Sequence, residues 1–316
     1  MVVKGKIYCY EVNPINTKKN QLILKHNIYI EDGTELINCQ IIEKNKINLS
    51  EDIHIVVNGK FSYDNYSNEY YINVISIKKI INSRRQDLSI EKRIELHTHS
   101  KMSQMDGLVD INEYIELAKY WGHPAVAITD HGNVHIFPDF YKKCIKEGIK
   151  PIFGLEGYLC ANSQNYKEKS FHFTILVKNK IGLKNLYQLV SESHINYFYK
   201  HPRIPKDLLN EKREGLIIGS ACSAGELFYA ILNKASEEEI EEIGKFYDYF
   251  EIMPIENNLH LINDKNYPEI KSPEDIKKIN RKIYELGKKL NKLVVATGDV
   301  HFINITDSIS REAIHI

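Results

Sequence analysis

From Arg93 onward the sequence keeps one rhythm. A short apolar run is followed by a stretch long enough for an amphipathic helix, and several of the runs end in histidine or an acid. The runs are Ile94–Leu96, Ala125–Thr129, Pro151–Leu155, Phe173–Val177, Leu216–Gly219, Tyr249–Met253 and Leu293–Thr297. Helices are expected near Ile111–Trp121, Pro138–Glu147, Gly182–Ser193, Gly225–Leu232, Ser236–Phe246 and Glu274–Leu290. Asp110 followed by Glu113 spells a capping box at the start of the first of them. Strands alternating with helices predict parallel βαβ units, and about seven such units predict an α/β barrel. The polar stretch Ala161–Lys169 reads as a loop.

Residues 1–82 follow a different rhythm. Short runs rich in Ile, Val and Tyr (Lys6–Val12, Leu22–Ile30, Leu36–Ile42, Ile53–Lys60, Tyr70–Ile77) are separated by turn-type clusters. The clusters are Asn13-Pro14-Ile15-Asn16, Glu31-Asp32-Gly33, Asn58-Gly59 and Asp64-Asn65-Tyr66-Ser67-Asn68. Five strands of this length suit a small all-β barrel of the OB kind. The expected layout is thus an OB-like domain over 1–82, a polar linker over 83–92 and an α/β domain over 93–316.

Composition narrows the function classes. Forty-two basic and 42 acidic side chains cancel, so no global positive field draws the chain to nucleic acid, and any basic groove is local. The five cysteines form no C-x-x-C pair, which argues against a disulfide scaffold and for a reducing cytoplasm. The N-terminus lacks a secretory apolar core, and no window approaches the roughly 18 apolar residues that span a bilayer. The expectation is a soluble cytoplasmic chain without membrane contact.

The chemistry lies at the ends of the runs. His97 and His99, two apart at a strand end, point the same way and can address one ion. Asp106 follows in a turn-like Met105-Asp106-Gly107. His131 closes Thr129-Asp130-His131-Gly132, Glu156 sits in Gly154-Leu155-Glu156-Gly157, and His172 opens its own strand. Cys222 follows Gly219-Ser220-Ala221, and Asp299 and His301 repeat the same-face spacing in Gly298-Asp299-Val300-His301. Seven of these nine residues fall at or just past the carboxyl ends of expected strands, where barrel active sites lie. Five imidazoles, three carboxylates and a thiol are too many for one tetrahedral ion and suit a cluster of two or three. The donor mix favours Zn²⁺, with Mn²⁺ or Fe as alternatives. Such a cluster activates water and clamps the oxygens of a phosphoryl displacement, so the implied chemistry is phosphate-ester hydrolysis. Asp130 is expected to orient a ligand rather than to be one.

These motifs resemble the PHP domain, a distorted seven-stranded barrel with a nine-ligand metal site. The matching positions are His97, His99, Asp106, His131, Glu156, His172, Cys222, Asp299 and His301. KMSQMDG, KYWGHPAVAITDHGNV, FHFTILVKNKIGLKNLYQLVSESH and HPRIP are similar to the PHP domain of PolC-type DNA polymerase III in particular. The resemblance implies an OB domain over 1–82 and DNA template and primer as partners. It also implies replisome components such as the sliding clamp, and catalysis by His97, His99, Asp106, Asp299 and His301 through metal-bound water. That family carries a proofreading exonuclease between the G-x-E motif and the next His strand. Here only residues 157–171 join them, and the sequence stops before a polymerase palm, so it is not expected to polymerise DNA. In the family the PHP site is in some members a 3′–5′ exonuclease and in others a metal-braced structural module. A free-standing small-molecule phosphatase of the histidinol-phosphatase type is the third reading, opposed by the OB-like segment.

Arg203 and Lys206 in HPRIPK could meet a phosphate backbone. Tyr8, Tyr10, Tyr29, Tyr63 and Tyr71 could stack single-stranded bases on a barrel face. His123, His135, His194, His201 and His260 read as ordinary polar residues.

Overall fold

The computed structural model describes residues 1–16, 21–32, 34–51, 53–65, 67–80 and 85–314. Gly33 and Tyr66 of the expected turns, and residues 83–84 of the expected linker, lie outside the described residues. The chain forms two compact units, Met1–Gln86 and Asp87–Ile316.

The first unit is a closed five-stranded barrel. Its strands are β1 (Val2–Asn16), β2 (Leu22–Glu31), β3 (Leu36–Glu43), β4 (His54–Asp64) and β5 (Glu69–Lys79), in the order β1-β2-β3-β5-β4, with β4 returning to β1. Ile7, Ile28, Ile30, Ile55, Val57 and Ile72 alternate inward and fill it. Two expected turns are strand instead. Asn58-Gly59 marks a register shift inside β4, where a Cβ on Gly59 would stand 2.5 Å from Asn73 O. Such a bulge bends the strand so that a short sheet can close on itself. Pro14 lies within β1, paired with Leu24; among the described residues β2 alone pairs with β1 beyond Ile7, so an open edge tolerates the missing N–H.

In the second unit the strands are β6 (Ala125–Ile128), β7 (Lys150–Cys160), β8 (Ser170–Val177), β9 (Phe198–Tyr199), β10 (His201–Pro205), β11 (Leu216–Gly219), β12 (Tyr249–Ile252) and β13 (Leu293–Ala296). The helices are α1 (Ile111–Trp121), α2 (Phe137–Glu147), α3 (Lys180–Ile195), α4 (Lys206–Glu211), α5 (Glu226–Leu232), α6 (Glu237–Phe246), α7 (Pro273–Leu290) and α8 (Asp307–Ile314). Asp110 caps α1 by accepting from the backbone of Asn112 and Glu113. The sheet runs β13-β12-β11-β8-β7-β10-β9, with β6 also against β7.

The sheet is not all parallel, as the sequence rhythm had implied. β8 runs antiparallel to both β7 and β11. Residues 161–169 are too few for a helical crossover, which needs a dozen or more, so β7 and β8 form a hairpin. The expected strand at Ile94–Leu96 is irregular too. Ala127 N and Thr129 N donate to Glu95 O and Thr98 O on one side, and His99 N donates to Val300 O on the other. The segment therefore joins the two edges of the curled sheet. Three of its N–H groups go to side chains: Leu96 and His97 to Glu95 Oε1, and Thr98 to Thr129 Oγ1. A ladder whose donors are taken by side chains does not extend.

Candidate metal centre

The reversal of β8 positions the site. Parallel strands deliver their last residues to one rim, and an antiparallel strand delivers its first residues to that same rim. His172, third in β8, thus sits in register with Tyr158 of β7, while His131 bridges to Glu156. The nine candidate ligands converge there. His97 Nε2 lies 3.2 Å from Glu156 Oε1 and 3.3 Å from Asp299 Oδ1. His99 Nε2 lies 3.4 Å from Glu156 Oε2 and 3.3 Å from Asp299 Oδ1. His131 Nδ1 and His172 Nδ1 approach Glu156 at 2.9 and 3.2 Å, and Cys222 Sγ at 3.5 Å. On the outer side Asp106 Oδ2 stands 3.1 Å from His131 Nε2 and 3.0 Å from His301 Nε2.

Those distances suit shared cations. Two ligands at roughly 2.1 Å from a tetrahedral ion stand about 3.4 Å apart. Among the described residues, His97 Nε2, His99 Nε2, His131 Nδ1, Glu156 Oε2 and Asp299 Oδ1 are buried without a well-aligned hydrogen bond, although each stands within 3.4 Å of another of the five. An unpaired buried polar atom is expensive, and five facing one another are more so. Three sets of donor atoms fit around a single ion: His99, His131 and His301; His97, His99, Glu156 and Asp299; and His131, Glu156 and His172. The residues present therefore fit a metal cluster.

Electrostatics agree. Burial presses the His97 imidazole toward its neutral form, but the carboxylates of Glu156, Asp299 and Glu251 hold its pKa well above the ordinary value. His99 is pushed down to about 3 by burial, helped by His131. Burial opposes ionisation of Glu156, yet His172, His97 and His131 hold its carboxyl well below the usual range. Burial and the Glu156 charge push the Cys222 thiol well up. Opposed charges of this kind are what divalent cations resolve.

A shell of support stands behind the cluster, and most of it escapes a motif search. Glu251, buried in β12, takes His97 Nδ1 at 2.9 Å and accepts from the hydroxyls of Thr174 and Thr297. Its signal in the sequence is a lone acid inside the apolar run YFEIM. Asp130 accepts from Ser100 N, Ser100 Oγ and Ser103 Oγ, and Ser103 Oγ meets His99 Nδ1 at 2.9 Å. Asp130 thus reaches His99 through one hydroxyl. Arg311 of α8 donates to Asp106 Oδ1. Glu95 accepts from Gly298 N beside Asp299. Met105, Ala221 and Asp299 all take left-handed φ, between 48° and 61°, at or beside candidate ligands. Strain of this sort gathers at functional sites.

The other expected contacts are spent internally. The Arg203 guanidinium donates to the carbonyls of Tyr199, Tyr166 and Glu168, and Lys206 pairs with Glu226 at 2.8 Å. In the barrel, Tyr10 donates to Ile47 O and meets His26 Nδ1, whereas Tyr8 is exposed.

A family model described as PHP domain matches residues 95–260. The chain is similar to the DNA polymerase III PolC-type of Thermotoga petrophila, 28% identical over 513 aligned positions covering 99% of this chain and 36% of that protein. It is 35% identical to the DNA polymerase III PolC-type of Bacillus subtilis over 84% of this chain and 18% of the other. A solved chain of Bifidobacterium adolescentis, provisionally assigned as a metal-dependent phosphoesterase, overlays 66% of this chain and 87% of its own with a TM-score of 0.40 and 13% identity. The chain spans about a third of the length of the Thermotoga relative. Among the described residues no helix is long and apolar enough to cross a membrane.

Proposed function

Because the chain belongs to the PHP domain family, we propose that its second unit is a metal-dependent phosphoesterase acting at DNA 3′ ends within a PolC-type DNA polymerase III. One observation carries the reading: five buried atoms without aligned hydrogen bonds, each at ligand–ligand spacing from another of the five. His97, His99, Asp106, His131, Glu156, His172, Cys222, Asp299 and His301 would hold two or three ions, Zn²⁺ before Mn²⁺ or Fe. When bound, the metals supply Lewis-acid charge and an acidified water for attack on phosphorus. The chain's own part is to orient that site. Glu251 fixes the His97 tautomer, Ser103 carries the pull of Asp130 to His99, and Arg311 holds Asp106.

In the same reading residues 1–82 are an OB domain, 83–92 a linker and 93–316 the PHP domain. Residues 157–171 stand where PolC relatives carry an exonuclease. The 513 positions aligned to the Thermotoga relative exceed the 316 residues here, in keeping with a segment that has no counterpart. Primer-template DNA and replisome components, the sliding clamp among them, are the partners implied, in the cytoplasm.

A second reading has its own support. His97 and His99 are fully enclosed, as metals that only brace a fold would have them. A 3′–5′ assay on labelled single-stranded DNA, run beside a His99→Ala, Asp299→Ala double variant, separates the two. Degradation lost in the variant supports the nuclease. Intact DNA from a metal-loaded protein, with only thermal stability lost in the variant, supports the brace.

A further inference from the structure

Among the described residues, candidate ligands line two separate clefts. The larger, about 670 Å³, is bounded by Asp299, His301, Glu256 and Arg311. The smaller, about 390 Å³, opens beside His131. Their chemistry differs. The larger contains two acids, and its arginine is committed to Asp106. Among the described residues lining the smaller there is no carboxylate; it offers Lys200, four histidines, Tyr158, Phe198 and two methionines.

The rings in the smaller cleft are ordered as a stack. His131, a candidate ligand, stacks on Tyr158 at 6.0 Å and 25°, and Tyr158 stacks on His201 at 4.4 Å and 18°. The column runs outward from the cluster and ends at exposed His201. Phe198, with 54% of its surface open, lines the same cleft 6.2 Å from the His194 ring, on the β9–β10 hairpin, whose turn residue Lys200 is left-handed. The hairpin is seated on the loop after His131. A Cβ on Gly132 would stand 2.5 Å from Pro202 Cγ, and Gly132 has φ +60. The cleft is thus built against the cluster, and it presents stacking faces and a cation to an anionic strand, with no carboxylate among its described lining residues.

We propose that this cleft is a base subsite. It takes the nucleobase of a DNA 3′-terminal nucleotide by stacking on His201 and Phe198, and so places the adjoining phosphodiester at the cluster. The proposal rests on the phosphoesterase reading for the purpose of the subsite but not for its existence. Base-on-aromatic stacking is sequence-tolerant, since every base has a π-face, which suits a site acting on any 3′ end.

The test uses the metal-loaded chain and two single-stranded oligonucleotides with a phosphorothioate at the last linkage. One ends in 2-aminopurine and the other in a 3′ abasic residue, and bis(4-nitrophenyl) phosphate reads the cluster's phosphodiesterase chemistry separately. Binding should quench 2-aminopurine, and the abasic strand should bind about tenfold or more weakly. In Phe198→Ala and in His201→Ala that ratio should fall toward one, whereas Tyr284→Ala on α7 should keep it. Equal affinity of wild type for both strands, or a ratio unchanged in both cleft variants, overturns the proposal. Discrimination without hydrolysis of bis(4-nitrophenyl) phosphate upholds the subsite and defeats the phosphoesterase reading instead.

Discussion

The interiors of the two units solve opposite problems. The barrel is held by aliphatic side chains that need no partner, and among the described residues its buried orphan atoms, on His26, Asn27 and Asn38, include no carboxylate. The second unit has a larger aliphatic core of its own, yet gathers His97, His99, Glu156 and Asp299 at one rim of its curled sheet with donor atoms unpaired. The contrast teaches where each unit draws its stability. The first should stand on burial alone, whereas the second should be incomplete until cations fill its centre.

Chelation breaks that symmetry hardest. A metal bound only by the native state stabilises by about 4 kcal/mol at a thousandfold excess over Kd. The second unit should therefore lose about 10 °C in melting temperature on chelation. The barrel's amides should keep their hydrogen-exchange protection. Next comes Glu251→Gln, which weakens the grip on His97 Nδ1 and the hydroxyls of Thr174 and Thr297. Metal affinity should drop about 10–100-fold, read by competition with a chromogenic chelator. Gly132→Ala forces a Cβ into left-handed backbone and toward Pro202, at a cost of about 1–3 kcal/mol in urea unfolding of the second unit. In the barrel, Tyr10→Phe removes the bonds to His26 and Ile47 and should cost about 1 kcal/mol, with no effect on metal content.

The smallest effect is a pH slope. Burial holds the His26 imidazole below its ordinary value of 6.5. The unfolded chain therefore takes up its proton first as pH falls. Stability from neutral His26 is complete above pH 6.5 and declines below it. Barrel melts between pH 7 and pH 5 should show that decline, and His26→Gln should flatten it.

Much of this was legible in the residues. Runs and helical stretches marked most elements within a few positions, and the candidate ligand pairs His97/His99 and Asp299/His301 stood out by their spacing of two, although the first lies on irregular chain and Asp299 is left-handed, so tertiary bridges rather than strand pleat bring them together. What escaped depended on tertiary partners. Nothing local in Phe171-His172-Phe173 says that β8 runs backwards; the shortness of 161–169 does, once its neighbours are known. Asn58-Gly59 has the chemistry of a turn, and only barrel closure makes it a bulge. Glu251 and Ser103 serve residues 154 and 4 positions away, so no motif window relates them as a set. Arg203 resembled a surface cation, but the carbonyls that consume it come from the neighbouring strand β9 and from the distant loop over 161–169.

The most direct test of the central claim is elemental analysis of the purified chain beside the His99→Ala, Asp299→Ala variant. The wild-type chain should hold two or three divalent metal ions, and the variant clearly fewer. A wild-type chain that holds none when dialysed against zinc or manganese, or a variant that holds as many, would contradict that claim.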